Sequence, residues 1–219
     1  MKKTRDTMPA VDADLIWSAA CAAYRLNSGY LKEPEVVGDQ VVRPTNRELV
    51  RRALADTAMI TDADREQAQN CRRHMASAVT MQALRTELGE WAKITARVCE
   101  LDTITSNYDL SVITAMPQSY AKQLKKESVD ARLARCDEAH VGQLGDKVEL
   151  VVEILRNNYS AKYNTWFVSG ITDNNRSVFF AYREELKSDQ TLKIRGTVKR
   201  LVDRATQLNR VKIQQQEVV

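Results

Sequence analysis

Residues 191–202 have the sequence TLKIRGTVKRLV, and this stretch decides the fold of the C-terminal part of the chain. Apolar and polar residues alternate along it, which is the two-residue period of a β-strand. Leu192, Ile194 and Val198 would face inward. Gly196 lies mid-strand, where the strands of a small barrel bend or carry a bulge. The stretch therefore predicts one long strand of a barrel.

Four further strands are predicted around this one, each bounded by turn residues. They lie at residues 147–154, 165–172, 178–182 and 207–213, with turns at 157–160 and 173–176 and a short helical or turn connector at 183–187. Five strands with a connector between the third and the fourth are the pattern of an OB-type barrel. An SH3-like barrel is the main alternative. The long first and fourth strands and the connector favour the OB type.

The N-terminal part of the chain has helical periodicity instead. Helices are predicted from Asp12 or Asp14 to about Asn27, from Pro44 onward, from Thr61 to about Gly89, around 91–101, from Leu110 to Met116 and from Pro117 to His140. Residues 1–11 are expected to be frayed, and 28–44 to be a loop with a brief extended piece. The predicted fold class is α+β, with a helical domain at 1–139 and an OB-fold domain at 140–219.

Charge is distributed unevenly along the chain. Residues 1–140 contain 20 Lys+Arg and 20 Asp+Glu, whereas 141–219 contain 13 and 9, so the whole net charge of +4 lies in the barrel region. Seven of the 13 aromatic residues also lie there. Basic groups interleaved with aromatic residues favour a nucleic acid as the ligand. The alternative is a small barrel that needs aromatic residues for its core and is basic by chance.

The outward positions of the fourth strand carry three cations. Lys193, Arg195 and Lys199 share one face, and they would follow a phosphate backbone and release its counterions. Three more cations are expected nearby, namely Arg204, Arg210 and Lys212. An ordinary solvated face is the alternative interpretation.

Two pairs of adjacent aromatic residues, 166–167 and 179–180, lie on neighbouring predicted strands. Successive residues of a strand point to opposite faces, so one member of each pair would lie on the surface. We expect Trp166 and Phe179 to form a platform for base stacking. Lys162 and Tyr163, in the loop before the second strand, would act as clamps. Alternatively, one pair is core and the N-terminal half covers the other.

The chain has four Cys, at positions 21, 71, 99 and 136, and none forms a CxxC pair. Such spacing predicts free, buried thiols in a reducing compartment. Cys71 with His74, and Cys136 with His140, could each share a helical face and together supply a zinc site. Nothing in the sequence brings the two pairs together, so we expect no metal and no cofactor.

The sequence shows no catalytic motif. It contains neither a Gly-rich phosphate loop ending in Gly-Lys-Ser/Thr nor a GxSxG motif, and it has two His. No apolar segment follows the basic stretch 1–6, and the apolar stretch 15–23 is too short to span a bilayer. We therefore expect a soluble, cytoplasmic, non-catalytic protein without a membrane partner.

Several segments resemble an OB-fold-containing, nucleic-acid-binding accessory protein family of tailed bacteriophages. They are HVGQLGDKVEL (140–150), KIRGTVK (193–199), TQLNRVK (206–212) and YDLSVITAMPQSY (108–120). The resemblance covers roughly residues 104–213, and weakly 61–103. It implies a phage-encoded protein in the host cytoplasm. The turn after the second strand usually contains Gly in such domains, whereas residues 173–176 here contain none.

Together these features predict a non-catalytic binder of single-stranded DNA in phage replication, recombination or repair. RNA is an alternative ligand, because stacking and charge are the same for both. The helical half would bind a protein partner or self-associate. A protein-interaction adaptor is the rival function, because OB barrels are reused for many tasks. It would dock a phage or host enzyme, and its barrel would bind no nucleic acid.

Overall fold

The computed structural model describes residues 7–217, with side chains described up to residue 214. The chain divides into two compact units between Leu124 and Lys125. Helices dominate the first unit, and the second contains a closed five-stranded barrel. The predicted fold class, α+β with a helical N-terminal half and an OB-type barrel, is confirmed.

Five helices and four short strands precede the barrel. The helices are α1 (Ala13–Leu26), α2 (Asn46–Ala55), α3 (Asp62–Ala83), α4 (Glu90–Glu100) and α5 (Asn107–Ala134), and a single 3-10 turn spans Thr57–Met59. The strands are β1 (Thr7–Asp12), β2 (Glu35–Val37), β3 (Gln40–Arg43) and β4 (Thr103–Ser106). β1 pairs antiparallel with β4, and β2 pairs antiparallel with β3.

The predicted helix starts are confirmed where a capping side chain is present. Asp12 accepts a hydrogen bond from the Leu15 N–H at 2.9 Å, at the start of α1. Thr61 and Asp64 form a reciprocal capping box at the start of α3. Each cap satisfies backbone N–H groups that have no partner inside the helix.

Helix α1 is the centre of the first unit. Every residue from Ile16 to Ala23 is buried, and most of them are small. A helix that is apolar on all sides must be surrounded, and small side chains let its neighbours approach closely. Helices α2 and α3 both pack against it.

Several boundaries predicted for the N-terminal part are wrong. Residues 7–12 form β1 rather than a frayed end, because Val11 pairs with Ile104, far along the chain. The predicted end of α3 at Gly89 is also wrong, because the helix ends at Ala83 and Gly89 is the N-cap of α4.

The predicted helix break at Pro117 is wrong as well. α5 continues through this residue from Asn107 to Ala134. Pro removes one backbone hydrogen bond, but its neighbours Ile113 and Met116 are fully buried. Tertiary burial of this helix face overrides the local preference to end.

The segment 28–44 forms a β-hairpin where a loop with a brief extended piece was predicted. A two-residue turn, Gly38-Asp39, joins β2 to β3. Gly38 has φ +60°, the left-handed conformation that a type II′ hairpin turn needs at its first central position. Glycine adopts it without a Cβ clash.

The barrel consists of β5 (Lys147–Ser160), β6 (Thr165–Thr172), β7 (Ser177–Tyr182), β8 (Thr191–Val202) and β9 (Ala205–Glu217). The strand order is β5-β6-β7-β9-β8, and β8 closes the barrel on β5. All neighbours are antiparallel except β7 and β9, which run parallel. The bounds of β6 and β8 are those predicted. The first and last strands are longer than predicted, and the connector 183–190 contains no helix.

The predicted turn at residues 157–160 is wrong, because these residues belong to β5. They pair with residues 165–168 of β6, and the turn lies at 161–164. Asn164 supplies the left-handed residue there, with φ +45°. Polar composition therefore indicated a turn one position class too early, since cross-strand pairing decides where the strand ends.

The inward row predicted for each strand is confirmed by the barrel core. Val152, Ile154, Val168, Val178, Phe180, Leu186, Leu192, Ile194, Val198 and Leu208 form one buried cluster. Strand β8 carries the predicted bulge, because its register with β9 shifts between Arg195 and Thr197, around Gly196.

The end of α5 contacts the outer surface of the barrel within the second unit. Arg132 donates two hydrogen bonds to Glu153 of β5, at 2.9 and 2.6 Å. Arg156 of the same strand pairs with Asp130. Val129, on the same part of α5, is buried. This helix end therefore occupies the middle of β5 and leaves the loop 161–164 exposed.

Candidate nucleic-acid interface

An opening in the barrel wall lies where β7 and β9 separate. Phe180 and Leu208 are the last residues of the parallel ladder. Beyond them β7 continues to Tyr182 and β9 continues to Glu217, and Arg210 has a left-handed φ of +52°. The two unpaired edges border an open cleft of about 540 Å³.

Three cations and one acid line this cleft. The cations are Arg183, Arg210 and Lys212, and the acid is Glu184. None of the three cations forms an ion pair with a carboxylate among the side chains that the structure describes. Cations in a concave surface without acidic partners create a positive potential that attracts anions.

A row of aromatic residues crosses three strands at the same end of the barrel. Trp166 lies opposite Tyr159 of β5 and Tyr182 of β7. The ring centroids of Tyr159 and Trp166 are 5.1 Å apart. Tyr182 also lines the cleft. Residues directly opposite each other share one face, so the three rings lie together at the barrel mouth.

The predicted outward orientation of Trp166 is wrong. Its side chain packs against the barrel core, as does Val168 two residues later. Strand alternation then puts Phe167 on the outside, where it is 43% exposed. The adjacent aromatic residues left two choices open. Counting the two-residue period back from the buried Val168 would have selected Phe167.

Phe167 is part of a second aromatic pair, on the outer face. Its ring lies 6.0 Å from that of Tyr163, edge to face, and Tyr163 is 62% exposed. The Lys162 Nζ lies 5.3 Å from the Tyr163 ring centroid, within cation–π range. Phe167 is opposite Ala181, which lines the cleft. The predicted loop residues 162 and 163 therefore lie beside the cleft.

Phe179 lies on the outer face, as predicted. It is opposite Ser169 on β6 and Gln207 on β9, and it is partly buried. Its neighbour Phe180 fills the core. Phe179 lies one residue pair from the pair that Phe167 forms with Ala181, on the same face of the sheet.

The cations predicted on β8 separate into two groups. Arg195 is opposite Lys212, so it adjoins the cleft, and Lys193 follows on the same exposed face. The Arg195 Nε lies 4.0 Å from a carboxylate oxygen of Glu149. Lys199 is exposed but lies beyond the bulges, on the part of β8 away from the cleft.

Arg204 is held by other contacts. It donates to the Ala134 carbonyl at 3.0 Å and to Glu138 at 2.6 Å. The structure therefore brings together six of the predicted residues (Lys162, Tyr163, Lys193, Arg195, Arg210 and Lys212), and it adds Arg183, Tyr182 and Phe167. The sequence signal for Arg183 was weak, because it follows the last paired residues of β7.

All four Cys are free and buried, as predicted. Burial raises the pKa of Cys21 to about 12 and that of Cys99 to about 11. His74 lies against the ring of Tyr120, and the Nδ1 of His140 is 3.3 Å from the Thr206 hydroxyl. Among residues 7–217, no three His, Cys, Asp or Glu side chains are placed to hold a metal ion.

Comparisons with protein-family models, curated proteins and solved structures find no match to this chain. The resemblance to phage accessory proteins therefore stays a prediction from sequence. In the described part of the chain, no helix is both long and apolar enough to cross a membrane. The function is inferred from the geometry of the cleft and its surroundings.

Proposed function

We propose that the barrel binds single-stranded DNA, without catalysis, in the cleft between β7 and β9. One observation carries this proposal. Three cations without acidic partners, Arg183, Arg210 and Lys212, line a cleft that is bordered by the exposed pair Tyr163 and Phe167. A ligand that satisfies both needs negative charges and flat apolar faces, and a nucleic acid provides both.

Phosphates and bases would occupy different parts of the site. The cleft cations, extended by Arg195 and Lys193 on β8, would contact the backbone. Exposed aromatic rings would stack on bases, and each stacked base contributes about 1–3 kcal/mol. A single strand fits better than a duplex, because its base faces are free to stack. The phage replication, recombination or repair setting belongs to the same proposal.

Fluorescence anisotropy of a labelled oligo-dT, titrated with the full chain at two salt concentrations, tests the proposal. We expect micromolar or tighter binding that weakens with salt, because bound phosphates release counterions. Absence of binding at low salt, with a native far-UV circular dichroism spectrum, would contradict it and favour the adaptor function.

Competition by unlabelled oligomers separates the possible nucleic acids. Matched oligo-dT, oligo-U and a blunt duplex of the same length are compared at one salt concentration. We expect oligo-dT to displace the label best and the duplex worst. Stronger competition by oligo-U would keep the site but assign it to RNA, because only RNA offers a 2′-hydroxyl.

A further inference from the structure

The β2–β3 hairpin is an exposed apolar element in the first unit. Every residue from Lys32 to Val42 is exposed. Four of them are valines, namely Val36, Val37, Val41 and Val42, with exposed fractions of 52–69%. An isolated two-stranded hairpin is marginally stable in water. This hairpin would gain stability from further strands.

The two edges of the hairpin differ in chemistry. The β2 edge is preceded by Pro34 and flanked by Glu33 and Glu35, and proline and charge are the usual protections against edge pairing. The β3 edge carries Val41 and Val42 and has no such protection within the strand. β3 is therefore the edge that can accept another strand.

Backbone direction also favours β3. Residues that flank a two-residue turn form a hydrogen-bonded pair, and here these are Val37 and Gln40. The next residue, Val41, then presents its N–H and C=O away from β2. These groups have the position that a neighbouring antiparallel strand needs.

The sequence of this edge is complementary to itself. When two copies of residues 39–43 run antiparallel with Val41 facing Val41, Asp39 of each copy lies opposite Arg43 of the other. Opposite charges directly across a strand pair are stabilising. Arg43 already pairs with Glu35, but a guanidinium has five N–H donors and can contact a second carboxylate.

We propose that a second copy of this chain pairs with the β3 edge, with Val41 on the two-fold axis. The product is a four-stranded antiparallel sheet that contains eight valines. Such a closed, two-fold contact buries the same surface on both copies and ends there. The pairing does not depend on nucleic-acid binding, although a dimer with two barrels would bind a long strand more tightly than a short one.

Disulfide trapping tests the register. In Val41→Cys the new thiols face each other across the axis, with Cα atoms about 5.5 Å apart, which a disulfide can bridge. The four native thiols are buried and do not compete. We expect nearly complete covalent dimer under mild oxidation.

Val36→Cys is the matched control, because Val36 lies opposite Val41 with a similar exposure. In the proposed sheet its two copies are three strand spacings apart, about 14 Å, too far for a disulfide. Equal trapping of both variants would indicate random collision and overturn the proposal.

Sedimentation equilibrium gives a second, independent measurement. We expect the wild type to show twice the monomer mass of 24.8 kDa. Val41→Lys puts two like charges on the axis and should return the chain to monomer, whereas Val36→Lys should keep most of the dimer. A wild type that is monomeric at its solubility limit, or a dimer insensitive to Val41→Lys, overturns the proposal. Binding of oligo-dT by a monomeric chain would leave the proposed function intact.

Discussion

The helical unit and the barrel differ in how their charged side chains are paired. In the helical unit, Arg25 contacts the buried Asp64, and Arg97 contacts Asp109 through two hydrogen bonds. Arg72 donates to the carbonyls of Cys99 and Leu101 at the end of α4, both at 2.8 Å. These cations are engaged in structural contacts.

In the barrel, pairing depends on position. Arg132 and Arg156 pair between α5 and β5, but the cations of the cleft have no carboxylate partner within the described side chains. The neutral charge of residues 1–140 thus reflects closed internal pairs, and the excess in 141–219 includes cations available to a ligand. Charge counted along a sequence gains meaning when the pairs are known.

The largest expected effect breaks the best-paired charge of the helical unit. Asp64→Ala removes the charged hydrogen bonds from Arg25 and half of the capping box, and we expect a loss of about 3 kcal/mol of unfolding free energy. Arg25 stays hydrated when released, so the loss is smaller than for a fully buried pair. Urea denaturation measures it.

Asp62→Ala is the control, because Asp62 is fully exposed and its oxygen is 3.8 Å from Arg65. We expect a change near zero, since isolated surface pairs contribute little. An equal loss in both variants would remove the distinction between buried and surface pairs on which the comparison depends.

The pH dependence of unfolding tests the same carboxyl. Burial alone would raise the pKa of Asp64, but the hydrogen bonds from Arg25 and Thr61 outweigh burial and hold the pKa below its usual value. Such a group stabilises the fold above its unfolded pKa of about 3.9, and this stabilisation is lost as pH falls through the lower folded value. Urea unfolding at a series of acidic pH values should show this decline in the wild type, and a shallower one in Asp64→Asn.

The next largest effect concerns barrel packing. A Cβ at Gly170 would lie 2.5 Å from the Glu153 carbonyl oxygen and 2.5 Å from a methyl group of Val152. We expect Gly170→Ala to cost about 2 kcal/mol, because the β5–β6 ladder must shift. Gly196→Ala should cost less, since its nearest contact is the Val211 side chain at 3.3 Å. Thermal unfolding compares the two variants, and a harmless Gly170→Ala would contradict the close strand approach.

Two adjacent aromatic residues then separate binding from stability. Phe167→Ala should weaken oligo-dT binding by about 1.5 kcal/mol, the loss of one stacked base, with an unchanged salt dependence. Its unfolding free energy should stay close to that of the wild type. Trp166→Ala should destabilise the barrel, because its side chain packs against the core. Anisotropy and urea denaturation measure both variants, and the opposite pattern would restore Trp166 as the outward ring.

The smallest expected effect sharpens the assignment of free cations. Lys212→Ala should reduce the slope of log affinity against log salt by about 0.7, the value of one phosphate contact on a single strand. Lys199→Ala, also an exposed Lys but away from the cleft, should leave the slope nearly unchanged. Anisotropy titrations over a range of salt concentrations give both slopes. Equal slopes for the two variants would place the backbone contacts elsewhere on the barrel.

Prediction from the sequence succeeded where the deciding interactions are local. The alternation in 165–172 and 191–202 gave the bounds of β6 and β8. The caps at Asp12 and Thr61 marked true helix starts. It failed where a distant partner decides, as for β1, which exists only because it pairs with β4.

The candidate site shows the same division. Its cations on β8 and β9 were identified from strand alternation and composition. The outward ring of the 166–167 pair was not, because both residues are aromatic and the strand period fits either orientation. Arg183 joined the site only through the spatial approach of β7 and β9.

By itself, the sequence determined the α+β class, the strand segments of the barrel and the region that carries the excess positive charge. These properties depend on residue type and on spacing over a few residues. Only the tertiary structure decided that Phe167 faces outward, that β7 and β9 pair in parallel and then separate, and that three unpaired cations line the opening. The physical reason is that register and strand order are set by packing between segments far apart in the chain, and no local pattern records such contacts.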